Sequence, residues 1–369
     1  MTENKKIKVA LGMSGGVDSS VAALLLKEQG FDVVGLFMKL WNDPTCSTSR
    51  ENSCCDEKAQ MDAKMVADRL GIPFYVVDAR EYFKQEVTDY YLDEYKHFRT
   101  PNPCAICNKK IKFGWMLDFA KKIGCNKVAT GHYCQIEEAN GALHLKKGAD
   151  EKKDQTYFLY QLDQDQLGQI IFPVGHLAKD KVRELAKKAD LPVFEKAESQ
   201  EVCFIHDKSY TEFLKRYLPE DYFKSGRIVD LDGYTVGKHK GLVNYTVGQR
   251  KGIDQTGIFN NGKDPIYVTG FDKEKNELIV GKNTDTFKSE MTIDNLTWID
   301  PKTILSDLKS TDLAVKIRYG ASAVACEVAD MKKDQITLKF AEPQRAVTPG
   351  QCAVFYIHDQ VLGGGTILR

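Results

Sequence analysis

Residues able to do chemistry concentrate at four places in the 369-residue chain. The first is Gly12-Met13-Ser14-Gly15-Gly16-Val17-Asp18-Ser19. Glycines and hydroxyls between an apolar run and a helical-looking run turn backbone N–H groups toward one point, with the positive end of the helix dipole behind them. That is the chemistry of a phosphate or pyrophosphate cradle. It is not a Walker A loop, which needs Lys-Ser/Thr after its last glycine, because Val17-Asp18-Ser19 follows. Asp18 suits a magnesium ion shared with phosphate oxygens; the plainer alternative is a glycine turn with Asp18 or Ser19 as N-cap. The second place is Asn102-Pro103-Cys104-Ala105-Ile106-Cys107. Its prolines hold the segment out of helix until a helix opens near Lys109 to Lys122, leaving Cys107 near that helix's start, where a thiol ionises more readily. The third is Cys203, whose apolar neighbours make it either a packing cysteine or a second reactive thiol. The fourth is Gly131-His132 after a short strand, where the histidine either faces the same ligand as Gly12–Ser19 or is structural.

Such groups need rigid elements behind them. Apolar runs at Ile7 to Leu11, Phe31 to Met38, Ile72 to Val77 and Lys127 to Thr130 read as strands. Between them, helices are expected over Ser20 to Gln29, from Asp56 with Met61, Met65, Val66 and Leu70 on one stripe, and over Tyr82 to Lys96. This rhythm predicts a doubly wound parallel sheet, whose ligand crevice lies at the carboxyl ends of its strands. Asn140-Gly141 reads as a hairpin turn. Lys152-Lys153-Asp154-Gln155-Thr156 before the apolar run Tyr157 to Leu162 reads as an N-capped helix or as a polar contact for substrate. After helices at Asp180 to Ala189 and Tyr210 to Leu218, short strands and turns predict smaller β-rich, barrel-like domains. The expected divisions are 1–207, 208–285 and 286–369.

Composition narrows the class. The chain is 42% hydrophobic and 28% charged, so a packed globular protein is expected rather than a disordered one. Basic and acidic residues number 52 each, so any nucleic-acid surface must be local. No apolar run is long enough to span a bilayer, and a cytoplasmic protein without membrane partners is expected. The ten cysteines fit a reducing compartment better than a disulfide framework. Cys125, Cys134, Cys326 and Cys352 read as packing residues, and Cys46, Cys54 and Cys55 as part of a mobile polar loop.

The SGGxDS loop resembles that of the PP-loop ATP pyrophosphatases, which split ATP to AMP and pyrophosphate. With Asn102-Pro103, Cys107, Gly131-His132, Lys153-Asp154-Gln155-Thr156-Tyr157, Cys203, the run His239 to Gly252, Pro349-Gly350-Gln351 and Gly363-Gly364-Gly365, the whole chain resembles the tRNA-specific 2-thiouridylases. The resemblance implies a PP-loop ATPase domain followed by two β-domains that help hold tRNA. It implies ATP, with Mg2+, at Gly12, Met13, Ser14, Gly15, Gly16, Val17, Asp18, Ser19, Met38 and Gly131. Cys107 matches the catalytic nucleophile and Cys203 the persulfide-carrying cysteine. Asn102, Pro103 and Cys104 match the segment contacting the target base; His132, Lys153, Asp154, Gln155, Arg318, Tyr319 and Gln351 match tRNA-contacting positions. The activity implied is ATP-dependent 2-thiolation of the wobble uridine, through adenylation of the C2 oxygen. A persulfide-donating sulfur carrier or desulfurase and an external reductant are the implied partners, the reductant to reopen a Cys107–Cys203 disulfide.

One position departs from the pattern. Many relatives have Asp where this chain has Cys104, so an acid or base role cannot be carried over. Cys104, Cys107 and Cys203 could together hold an iron–sulfur cluster; otherwise Cys104 is a substitute acid or a bystander. Two other functions compete: a different PP-loop adenylating ligase, which leaves two separated cysteines unexplained, and a non-catalytic RNA-binding protein with a vestigial ATP loop, in which Cys107→Ser or Cys203→Ser would be silent.

Overall fold

Lys8–Gly12 (β1) is an apolar run with Val9, Ala10 and Leu11 fully buried, and it lies at the centre of a five-stranded parallel sheet. The computed structural model describes residues 6–41, 43, 57–196, 202–205, 209–254, 265–302 and 304–368. Cys46, Cys54 and Cys55 lie outside them. After β1 come helix α1 (Val17–Glu28), β2 (Asp32–Lys39), α2 (Glu57–Leu70), β3 (Phe74–Asp78) and β4 (Lys127–Ala129). The hairpin β5 (Cys134–Ala139) and β6 (Ala142–Lys147) follows, then β7 (Ile170–Ile171). Strand order is β3-β2-β1-β4-β7, every pair parallel. The chain winds one way from β1 and the other way from β4, so the switch point falls between these strands.

Three local expectations change. The buried stripe of α2 is Ala59, Ala63, Val66, Ala67 and Leu70, while Met61 and Met65 are 65% and 46% exposed. The alanine face packs into one core with Val21, Ala22 and Leu26 of α1, and at its start the backbone comes so near the loop after β1 that a Cβ on Gly15 would lie 2.2 Å from the Ala59 carbonyl oxygen. The helix bearing Cys107 starts earlier than Lys109. Asn102 is its N-cap and Pro103 its first residue; it runs through Pro103–Ile106, becomes π-helical over Cys107–Trp115 and ends with Met116–Lys122. Over 152–162 the only helix is the short 3-10 turn Thr156–Phe158, shaped by the Asp154 carboxylate, which accepts from Thr156 N and Oγ1 and from Gly148 N. The Asn140-Gly141 turn forms as expected, both residues at positive φ.

The later strands build two further units. β8 (Gly226–Val229), β9 (Thr235–His239), β10 (Tyr267–Asp272) and β11 (Glu277–Gly281) form a four-stranded sheet. β12 (Phe287–Trp298), β13 (Leu313–Lys316), β14 (Val324–Lys332), β15 (Gln335–Arg345), β16 (Cys352–Ile357) and β17 (Gln360–Ile367) close into a six-stranded barrel through β12–β17 pairing. β12, the longest strand, has no sustained alternation and escapes detection by pattern. The β5–β6 hairpin of the first unit pairs with β17, so the barrel and the parallel-sheet unit share one eight-stranded sheet. Among the described residues no helix is long and apolar enough to cross a membrane.

Candidate active site

The loops after β1 and β4 leave the sheet side by side at the switch point. Their contact requires glycine, because a Cβ on Gly131 would lie 2.6 Å from the Asp18 carbonyl carbon and 2.7 Å from Ser19 N. Between them opens a cleft of about 240 Å³ lined by Gly12, Met13, Ser14, Asp18, Ser19, Met38 and Gly131, together with His132 and Gln155. Seven of the ten expected nucleotide residues thus share one cavity wall. The other three support it: Gly15 packs on α2, Gly16 is the N-cap of α1, and Val17 is buried in the core. Gly16 offers no side-chain acceptor, so neither Asp18 nor Ser19 is the cap. The first-turn N–H groups of α1 therefore open toward the loop without a capping side chain.

Asp18 is held from two sides. Its carboxylate accepts from Tyr133 Oη at 2.7 Å and from Lys179 Nζ at 2.6 and 2.8 Å. Lys179 opens the helix Lys179–Lys188, and its side chain is only 8% exposed. Pattern reading missed it, since a lysine in a lysine-rich helix looks like any solvated one. It also missed Leu40, Lys112 and Thr130, which complete the lining.

His132 is buried between Phe113 and Phe172, and its Nε2 stands 3.4 Å from Lys112 Nζ. A lysine ammonium can only donate, so Nε2 accepts and Nδ1 carries the proton, which it donates to Thr130 Oγ1 at 2.5 Å. Burial, with the Lys112 charge second, holds the imidazole well below its ordinary range and keeps it neutral.

Lys112 and Cys107 lie on the same π-helical stretch, so one element serves the cleft and the thiols. Cys107 is buried in a cluster with Leu40, Phe83, Phe204 and Ile205, against which the half-buried Cys203 also packs. Met38 and Leu40, at the end of β2, line the cleft and touch this same cluster. Cys104 instead is exposed. Among the described residues, which include all three of these cysteines, no group of three or more His, Cys, Asp or Glu is arranged to hold a metal ion. The expected iron–sulfur arrangement is therefore not assembled: one thiol faces solvent while the other two pack on a buried apolar cluster.

The remaining expected residues lie on four segments of the chain. Asn102 and Pro103 are buried, so Cys104 alone of that trio meets solvent. Asp154 is buried and bonded to its own loop, which carries the half-buried Lys153 and Gln155. Tyr319 follows β13 and rests on Phe158 at 4.5 Å between ring centroids, with Lys316 5.5 Å from its ring. Burial, with Arg345 second, lowers the pKa of the neighbouring Arg318. Gln351 donates to the main chain at Thr100 and Pro101.

Comparison with known proteins agrees with this architecture. The family model described as tRNA methyl transferase HUP domain matches residues 7–207, the tRNA methyl transferase PRC-barrel domain 211–282, and the aminomethyltransferase beta-barrel domain 288–367. The chain is 46% identical over 360 residues to the tRNA-specific 2-thiouridylase MnmA of Clostridium acetobutylicum, covering 98% of this chain and 99% of that one. It is 45% identical over 362 residues to the protein of that name from Clostridioides difficile, covering 98% of each. A core built as a HUP-type sheet with two β-domains and near-full-length identity at this level place the chain in the tRNA-specific 2-thiouridylase family.

Proposed function

We propose that this protein is an ATP-dependent tRNA-uridine 2-sulfurtransferase acting on the wobble position. The observation that carries the proposal is the contiguity of cleft and thiols: Met38 and Leu40 line the first and pack on the cluster that holds Cys107 and Cys203. The N–H groups at the start of α1, with the Ser14 and Ser19 hydroxyls, would cradle the ATP phosphates, and Lys112 would add a positive charge beside them. Magnesium carried on the phosphate oxygens would neutralise pyrophosphate charge, and Asp18, which lines the cleft, would reach it by sharing or exchanging its bonds to Lys179 and Tyr133.

A uridine C2 oxygen leaves badly. Transfer of AMP to it, with release of pyrophosphate, makes it a good leaving group. Cys203 would carry the incoming sulfur as a persulfide, delivered by a sulfur carrier or desulfurase. Either the persulfide's outer sulfur attacks C2 and Cys107 then attacks Cys203 Sγ, breaking the S–S bond and releasing the thiolated base, or Cys107 attacks the persulfide first and frees hydrosulfide beside the activated carbon. Both routes expel AMP and end in a Cys107–Cys203 disulfide, which an external dithiol reduces. Lys153, Gln155, Arg318 and Tyr319 would form the tRNA-facing surface, with Asp154 shaping the loop that carries the first two, and Asn102 to Cys104 would meet the flipped base. The work of such an enzyme lies in the cytoplasm.

The test is mass spectrometry of nucleosides from tRNA incubated with the enzyme, ATP, magnesium and a persulfide donor. Formation of 2-thiouridine supports the reading; recovery of uridine alone refutes it.

A further inference from the structure

The segment leading into Cys104 and Cys107 is held from outside its own domain. Thr100 N–H donates to the Pro349 carbonyl at 2.8 Å, and Gln351 Nε2 donates to the carbonyls of Thr100 and Pro101, each at 3.1 Å. An amide nitrogen has two N–H donors, and these bonds occupy both. Gly350 fits between at φ 90°, where a Cβ would lie 2.8 Å from Arg99 Cβ and 2.9 Å from Thr100 N. Asn102, which follows Pro101, is the N-cap of the helix that carries both cysteines. The middle domain grips the same segment, with Lys273 Nζ donating to the His97 carbonyl at 2.7 Å and lying 5.5 Å from the Phe98 ring.

We propose that Gln351 is a positioning residue for sulfur transfer: by holding the Thr100 and Pro101 carbonyls, its amide sets where the helix bearing Cys104 and Cys107 begins. This rests on the sulfurtransferase reading, and it adds a positioning role to the tRNA contact that the family resemblance implies for this residue. The physical reason is that Gln351 is the donor to two successive carbonyls, whereas Arg99–Glu94, Lys273–His97 and Thr100 Oγ1–Thr246 Oγ1 hold the segment upstream of them. Pro101 and Pro103 fix their own φ but lack N–H groups to bond, so its alignment depends on carbonyls and on Thr100 N. Without the amide, two carbonyls lose their donor, and Asn102, one residue on, no longer caps at a defined place. Displacement of a reacting group by about 1 Å costs on the order of a hundredfold in rate.

Gln351→Met keeps the side-chain length and removes the donors. The measurements are kcat and tRNA KM for 2-thiouridine formation, tRNA affinity by direct binding, and the alkylation rate of Cys104 without tRNA. The expected result is a kcat lower by about tenfold or more, exceeding any change in tRNA KM and Kd, and an altered Cys104 alkylation rate without tRNA. Gly350→Ala, which pushes on the same segment from the other side, should show the same pattern and stands in if the first variant fails to fold. A weaker tRNA KM and Kd with unchanged kcat assigns Gln351 to tRNA and overturns the proposal, as does no change in any readout. If the wild-type enzyme makes no 2-thiouridine, the sulfurtransferase reading fails, and the alkylation comparison still decides whether Gln351 sets the geometry.

Discussion

Lys179→Met tests whether the nucleotide loop is held by a buried ion pair. At 2.6 Å the Lys179–Asp18 attraction is about 6 kcal/mol gross at an effective dielectric of about 20. Desolvation of both groups offsets much of that, and removing one partner from a buried pair typically costs about 3–5 kcal/mol. Here the carboxylate left behind is 31% exposed and keeps its bond from Tyr133, so water recovers part of the loss. Methionine also replaces most of the lysine stem beside the Tyr133 ring. The expected net cost is therefore about 2 kcal/mol, or roughly 4–8 °C in the unfolding midpoint of a domain of this size. Thermal unfolding followed by circular dichroism, repeated at low and high salt, measures it. Because the pair is buried, the loss should change little with salt. A midpoint within about 1 °C of wild type, or a loss that vanishes in salt, would refute the reasoning.

Three further outcomes follow from the geometry. His132 is neutral when folded, so the unfolded chain binds its proton first; stability from this residue is full above the ordinary histidine pKa of 6.5 and is lost as pH falls below it. Denaturant unfolding should show a shallower pH slope below that value in His132→Gln than in wild type, and equal slopes would remove the argument. Gly131→Ala drives a Cβ into the Asp18–Ser19 backbone and should weaken ATP binding by about tenfold or more without changing Cys104 alkylation, as calorimetry and labelling would show. The Cys352 thiol is pushed up to about 12 by burial, so iodoacetamide at pH 8 should label exposed Cys104 and spare Cys352 in the folded protein. Comparable native-state labelling of both would contradict this burial.

Local pattern was enough wherever one element or one loop carries the information. The apolar runs located β1, β2, β3 and β4 but not the two-residue β7; the central strands had to be apolar because they are buried on both faces, whereas β3 at the sheet edge is apolar yet largely exposed. The glycine-hydroxyl loop and Gly131-His132 each pointed to a cleft as one of two readings, because a doubly wound sheet binds ligands at the carboxyl ends of its strands. The start of the cysteine helix was misplaced, since Asn102 capping and a π-helical stretch depend on what packs behind them. The α2 stripe was misread for a similar reason: alanines give a weak periodic pattern, and only their packing into one core with α1 shows that they lie inside.

What no local pattern contains is distance between remote residues. From sequence alone, Cys107 and Cys203 were two thiols of unknown separation, Lys179 was one surface lysine among many, and Gln351 was part of a terminal motif. Sequence determined the residue types available: a glycine-hydroxyl loop suited to phosphate, two thiols far apart in the chain, and short strands that follow the parallel-sheet unit. Tertiary structure alone decided that Cys107 and Cys203 pack on one cluster, that Lys179 neutralises Asp18, and that a barrel loop grips the start of the cysteine helix. The reason is that burial and hydrogen-bond satisfaction are settled by all neighbours at once, and chain neighbours are only a few of them.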